Sequence, residues 1–178
     1  MYKVFALMLL PLVMVQDEPS LKWLPNLELE WLDFQGKPRR GTATVALTAS
    51  GLSFSFSAEY FNNQLSDYSY DLEVQFYPKK SWYIKEYVND NTLFHERLHF
   101  DITELHARKL RKRIHQTKFT NAINTEMKLL YTAINKELSA MQNLYDIETE
   151  HSQNIEAQRA WERKIFLELQ RLRYYRSE

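Results

Sequence analysis

The chain reads as an α+β protein, with an antiparallel sheet in its N-terminal half followed by a helical C-terminal half. Two changes of rhythm predict this. Between Leu27 and Tyr87 apolar residues alternate with polar ones at period two, and after Asn91 they recur at spacings of three and four. The placement of proline agrees, since none follows Pro78 and nothing interrupts the helical half outright.

The first element is Met1-Tyr2-Lys3 followed by an apolar run from Val4 to Val15, after which Gln16, Asp17 and Glu18 turn the chain polar. A short positive start before such a run predicts a secretory signal peptide over 1–16, with 17–178 as one mature domain, secreted or periplasmic. The run is shorter than the ~20 apolar residues a membrane helix needs, so no membrane span is expected in the mature chain.

Strands are expected next. Leu27 to Trp31 and Leu52 to Ser57 alternate strictly, with a turn at Ser50-Gly51 before the second. Thr42 to Thr48 and Leu72 to Tyr77 are rich in β-branched and aromatic residues, and Ser81 to Ile84 follows the break at Pro78. Three to five antiparallel strands result. Trp82 is read as packing the sheet against the helices rather than lining a pocket.

Three helices complete the pattern. Thr92 is placed to cap one beginning near Leu93, with Phe94, Leu98, Ile102, Leu105 and Leu110 on its apolar side. A second spans about 120–150, carrying Ile123, Met127, Leu130, Ile134 and Leu138, and a third carries Trp161, Ile165, Leu169 and Leu172. Neither half buries its apolar face alone, so sheet and helices are expected to form one domain.

Composition excludes several kinds of chemistry. With 23 Lys and Arg against 23 Asp and Glu, no net field recruits nucleic acid. The one basic run, His106 to His115, sits near a helix C-terminus, where cations are favoured, and lacks interleaved aromatics, so no nucleic-acid partner is expected. Arg171 to Arg176 reads as a frayed helix end. Zero cysteines and only three glycines remove disulfides, thiolate zinc sites, cysteine nucleophiles and dinucleotide fingerprints. Gly36 to Gly41 is no phosphate loop, because Thr42 stands where the lysine is required.

What remains is His95-Glu96-Arg97-Leu98-His99, an H-E-x-x-H sequence in the first helix. Residue frequencies predict roughly 0.01 such motifs by chance in this chain. Two histidines four apart lie on one helical face and can reach one ion. Glu96, rotated about 100° from His95, is the candidate general base that takes a proton from zinc-bound water. His95 and His99 are therefore candidate Zn²⁺ ligands and Glu96 the candidate catalytic residue. The third ligand must come from elsewhere. His106 lies a rise of about 10.5 Å beyond His99 and Glu104 is turned about 140° away. A two-helix hairpin reversing between Arg113 and Lys118 sets residue 132 level with His99 and favours Glu137, whereas the densest later cluster offers Asp146, Glu148 and His151.

Several segments together resemble a bacterial family of predicted secreted zinc-dependent proteases, formally a domain of unknown function placed among the H-E-x-x-H zincins of the peptidase MA type. These segments are Trp31 to Gly36, Lys80-Ser81-Trp82, His95 to Ile102 with Glu104, Ala107 and Arg108, Tyr145-Asp146, Glu148-Thr149, His151, Gln158 and Trp161. The resemblance covers about residues 27–165. It implies a zincin-like fold, His95 and His99 as zinc ligands, Glu96 as base and a functional 145–151 segment, within which His151 is the preferred third ligand. Ser152 departs from the family, which has glycine there. In zincins an edge strand above the helix pairs with a peptide or protein substrate, a role assigned here to Leu72–Tyr77 or Ser81–Ile84. The competing reading is a non-catalytic envelope or binding protein whose motif holds a structural ion or none.

Overall fold

The computed structural model describes residues 19–39, Gly41 and 44–176; the expected signal peptide over 1–16 lies outside them. Strands β1 (Leu21–Lys22), β2 (Ala46–Leu47), β3 (Ser50–Phe61), β4 (Gln64–Phe76) and β5 (Trp82–Tyr83) precede helices α1 (Asp90–Gln116), α2 (Ile123–Glu148) and α3 (Ile155–Arg171). The α+β class read from the sequence is what the chain forms. All strand pairs are antiparallel: β1-β4-β3 makes one sheet and β2-β5 a second, smaller one.

The long hairpin β3-β4 turns on Asn62 and Asn63, whose φ angles of 48° and 60° are those a two-residue turn of matching twist requires. Its inner residues Leu52, Leu72, Val74 and Phe76 are buried against α1. The outer end carries polar residues and leaves Phe61 exposed. No helix among the described residues is long and apolar enough to cross a membrane.

Helix α1 is the centre of the molecule rather than an amphipathic helix on its surface. It packs on β3 and β4, on α2 and on α3, so its middle is buried almost all round. Of the apolar side expected from spacing, Leu98, Ile102, Leu105 and Leu110 are buried, whereas Phe94 is exposed. The helix also starts three residues earlier than Leu93. Asn89 is its N-cap, its Oδ1 accepting from the Thr92 backbone NH at 3.0 Å, while the Thr92 hydroxyl returns to the Asn89 NH. Thr92 is thus the second half of a capping box instead of the cap itself.

Leu27–Trp31 does not form a strand. Leu29 is buried as alternation requires, but its carbonyl accepts from Arg97 Nε at 2.6 Å, and Glu30 and Asp33 close a single 3₁₀ turn over Trp31–Asp33. Side chains satisfy the backbone there, which removes the need for a ladder. The Trp31–Gly36 segment instead docks on the Pro78–Ser81 turn, with Gly36 NH bonded to Ser81 O at 2.7 Å. A Cβ at Gly36 would stand 2.8 Å from that carbonyl oxygen, so only glycine permits the approach. Trp82 is buried in packing, as expected.

The basic run proves to be partly internal. Arg108 Nε bonds Glu104 Oε1 at 2.7 Å, and Arg111 donates to the carbonyls of Leu72 and Tyr175. Both guanidiniums are buried and compensated by one carboxylate and three backbone carbonyls, counting Leu169 O on Arg108. This network ties β4, α1, α3 and the C-terminal turn together. The Arg171–Arg176 end is correspondingly anchored, with Leu172 buried and Tyr175 packed on the core, and not frayed. His106 is a core histidine: its Nδ1 bonds Ile102 O at 2.8 Å, and burial pushes its pKa down to about 4.

Candidate metal centre

Helical spacing places His95 and His99 one turn apart on α1, both turned toward α2. Their Nε2 atoms are 3.2 Å apart. From the last turns of α2, Asp146 brings Oδ1 to 3.1 Å from His95 Nε2 and 3.0 Å from His99 Nε2. Three ligand-type atoms therefore converge on one point. Ligands bound tetrahedrally at ~2.0–2.1 Å lie about 3.3–3.4 Å from one another, so this triangle, slightly tighter, is close to one face of a zinc coordination sphere.

The electrostatics match. Burial on its own pushes the Asp146 carboxyl up, but hydrogen bonds and charge from His95 and His99 outweigh it and hold the group well below the usual carboxylate range. Burial alone depresses His99, yet the bond to Asp146 and the negative charges of Glu96 and Asp146 raise it above its ordinary value. The geometry thus favours positive charge among the three atoms, as a proton or as a metal cation.

Aromatic and polar groups fix the rings. Tyr145, fully buried, stacks on His95 at 4.4 Å and 20° and meets His99 edge-on at 5.0 Å. Trp161 of α3 braces Tyr145 at 5.4 Å. Behind His95 stands Thr149, whose Oγ1 donates to Tyr145 O and lies 3.4 Å from His95 Nδ1. Behind His99 stands Gln142, in contact with Nδ1.

A cleft of about 900 Å³ opens over the cluster. Residues 44–48 around β2 form one wall, Asn135, Leu138 and Ser139 of α2 contribute another, and Tyr87 and Ile155 stand exposed at the rim. Glu96 lines this cleft although it is only 4 % exposed, and its Oε2 has no hydrogen-bond partner among the described residues. Thr48 Oγ1 donates to Glu96 O at 3.0 Å, locking strand and helix together at this level. Glu104 Oε2 and Gln158 Oε1 are likewise buried without a partner among the described residues, and of the three residues Glu96 alone lines the cleft.

The family model described as "Bacterial protein of unknown function (DUF922)" matches residues 30–152. The chain belongs to this family. No curated protein and no solved structure matches it. The DUF922 match begins just before the Trp31 turn and ends at Ser152, so it contains the β2–β5 strands, α1, α2 and the entire His95–His99–Asp146 cluster, while α3 lies beyond it.

Of the candidates for third ligand in this DUF922 chain, the structure brings Asp146 to the histidine pair. His151, preferred from the resemblance, is not in the cluster: it is 69 % exposed, with Nδ1 3.7 Å from Asp146 Oδ1. The reason is the length of α2, which runs on to Glu148 and so keeps Asp146 on the face toward α1. Beyond it Glu150, His151 and Ser152 adopt left-handed φ angles of 49°, 52° and 77°, reversing the chain toward α3 and placing His151 at the rim. Ser152 adopts this conformation although it is not glycine, its carbonyl accepting from Asn91 Nδ2.

Glu148 is engaged by Trp161 Nε1 at 2.7 Å, and Glu137 forms a two-bond pair with Arg113 away from the site. The hairpin arithmetic set residue 132 level with His99, but α1 extends three residues past Arg113 and α2 starts five after Lys118, so the level point is about residue 140; there Gln142 is the residue bonded to His99, while Glu137 is turned to Arg113. Gln142 went unrecognised as part of the site, and Tyr145 and Thr149 were expected only as members of a functional 145–151 segment, with no role of their own. Continuing the three-and-four spacing of α2 from Leu138 reaches all three. The expected substrate strands also differ. Of Leu72–Tyr77, residues 72–76 pair with β3 and Gln75–Phe76 also with β1, and neither this segment nor Ser81–Ile84 lines the cleft, whose strand is β2.

Proposed function

We propose that this protein is an exported zinc-dependent peptidase, a single zincin-like domain over 17–178, with His95, His99 and Asp146 as metal ligands and Glu96 as general base. The observation that supports it most directly is the triangle of Nε2, Nε2 and Oδ1 atoms at 3.0–3.2 Å beside a buried glutamate oxygen with no hydrogen-bond partner among the described residues. Two histidines and a carboxylate are a donor set suited to zinc, and three protein ligands leave a fourth position for water or substrate. Zinc bound there would acidify that water and polarise a carbonyl.

The remaining work falls to the chain's own residues. Glu96 Oε2 accepts the water proton and returns it to the leaving nitrogen. Among the described residues β2 pairs only with β5, so its other edge is free to take an extended peptide as an added strand. Thr48 holds that strand to the Glu96 turn of the helix. His151, at the rim, stands beside the ligand set and not within it.

Chelation tests the reading. Dialysed protein is expected to take up one zinc per chain and to cleave internally quenched peptides of mixed sequence; a strong chelator abolishes cleavage and added zinc restores it. Cleavage that survives complete metal removal, or a zinc-loaded chain inert toward every peptide, contradicts the proposal.

A further inference from the structure

The side chain of Gln142 lines the cleft and bonds His99 twice, once at the ring and once at the backbone. Its Oε1/Nε2 assignment is decided by its partners. One end of the amide lies 2.9 Å from His99 O and 3.3 Å from Thr103 Oγ1. A backbone carbonyl only accepts, so that end must be the NH₂ group, and the end against His99 Nδ1 must be the oxygen. An amide oxygen only accepts in its turn, so Nδ1 carries the proton.

The surrounding bonds allow no flip. Thr103 Oγ1 donates to His99 O at 3.1 Å, which leaves its lone pairs for Gln142 and for the Ser50 hydroxyl 2.8 Å away on β3. Ser50, Thr103, Gln142 and the His99 backbone therefore form one directed network running from sheet to α1 to α2. Turning the amide over would oppose its oxygen to the His99 carbonyl.

We infer that Gln142 is a positioning residue that fixes His99 as the Nδ1–H tautomer and aims its Nε2 lone pair at the Asp146 oxygen, readying it for a cation. This rests on the metal reading above and deepens it. In a neutral His99 so held, a nitrogen lone pair and a carboxylate oxygen face each other at 3.0 Å. Such a pair repels unless a cation lies between them, so the bond made on the far side of the ring determines what the near side can bind.

Two variants and one spectrum test it. Gln142→Leu keeps the bulk but removes the acceptor, and is expected to weaken zinc binding about 10–100-fold in competition with a chromophoric chelator. Gln142→Glu keeps an acceptor for Nδ1–H although its second oxygen then opposes the His99 carbonyl, and is expected to bind zinc more tightly than the leucine variant and more weakly than wild type. Long-range ¹H–¹⁵N spectra of the zinc-loaded wild-type chain are expected to show the His99 proton on Nδ1 and the metal on Nε2. The inference is overturned if zinc-binding wild type and Gln142→Leu differ by less than about threefold, or if the ring proton is on Nε2. A wild-type chain that binds no zinc overturns the metal reading itself and, with it, this role for Gln142.

Discussion

Asp146→Asn is expected to lower zinc affinity more than about 100-fold, while His151→Ala leaves it within about threefold of wild type. The contrast follows from position. Asp146 Oδ1 is within 3.1 Å of both imidazole nitrogens and is the only carboxylate among the described residues that joins them. An asparagine of the same shape keeps the packing but loses the negative charge that offsets the dication. The His151 ring is mostly exposed and 3.7 Å from that carboxylate, so its removal costs the cluster no ligand atom. Competition titrations on both variants decide the matter, and the reverse pattern, zinc retained by Asp146→Asn and lost by His151→Ala, would return His151 to the coordination sphere.

Glu96→Gln is expected to keep zinc and to reduce peptide hydrolysis by about 10²–10⁴-fold, the usual contribution of a positioned general base. Glu96 lies next to His95 in sequence but reaches the cleft from a different angle of the helix, and its Oε2 has no hydrogen-bond partner among the described residues. The amide preserves volume while removing basicity. Steady-state kinetics on the zinc-loaded variant measure the effect in kcat. Unchanged turnover would show that the carboxylate takes no proton, and loss of zinc would mark Glu96 as a ligand.

Much of this was legible in the sequence because it is local. Period two and period three-to-four fix which segments are strands and which are helices, and H-E-x-x-H places its two histidines on one face by helix geometry alone. Leu27–Trp31 misled because alternation reports which side chains are buried, and Leu29 is buried, without reporting where backbone groups find partners. Here Arg97 and Asp33 supply them.

The third ligand depends on relations between distant segments. Choosing among Glu137, Asp146, Glu148 and His151 requires the lengths of two helices and the loop between them, and a shift of a few residues at each end moves the facing position by two turns. Burial of Arg108 and Arg111 was hidden for a similar reason: their partners are carbonyls of Leu72, Leu169 and Tyr175, groups every residue possesses and no sequence advertises. Gln142 carries no motif at all, and only its place opposite His99 gives it meaning.

The central claim is that one divalent cation is held by His95, His99 and Asp146 with a position left open beside Glu96. Anomalous diffraction at the zinc edge from crystals grown with zinc tests it most directly. The account predicts a single strong peak about 2.0–2.2 Å from His95 Nε2, His99 Nε2 and an Asp146 oxygen, facing the cleft. A peak elsewhere, no peak, or a sphere closed by a fourth protein side chain would contradict it.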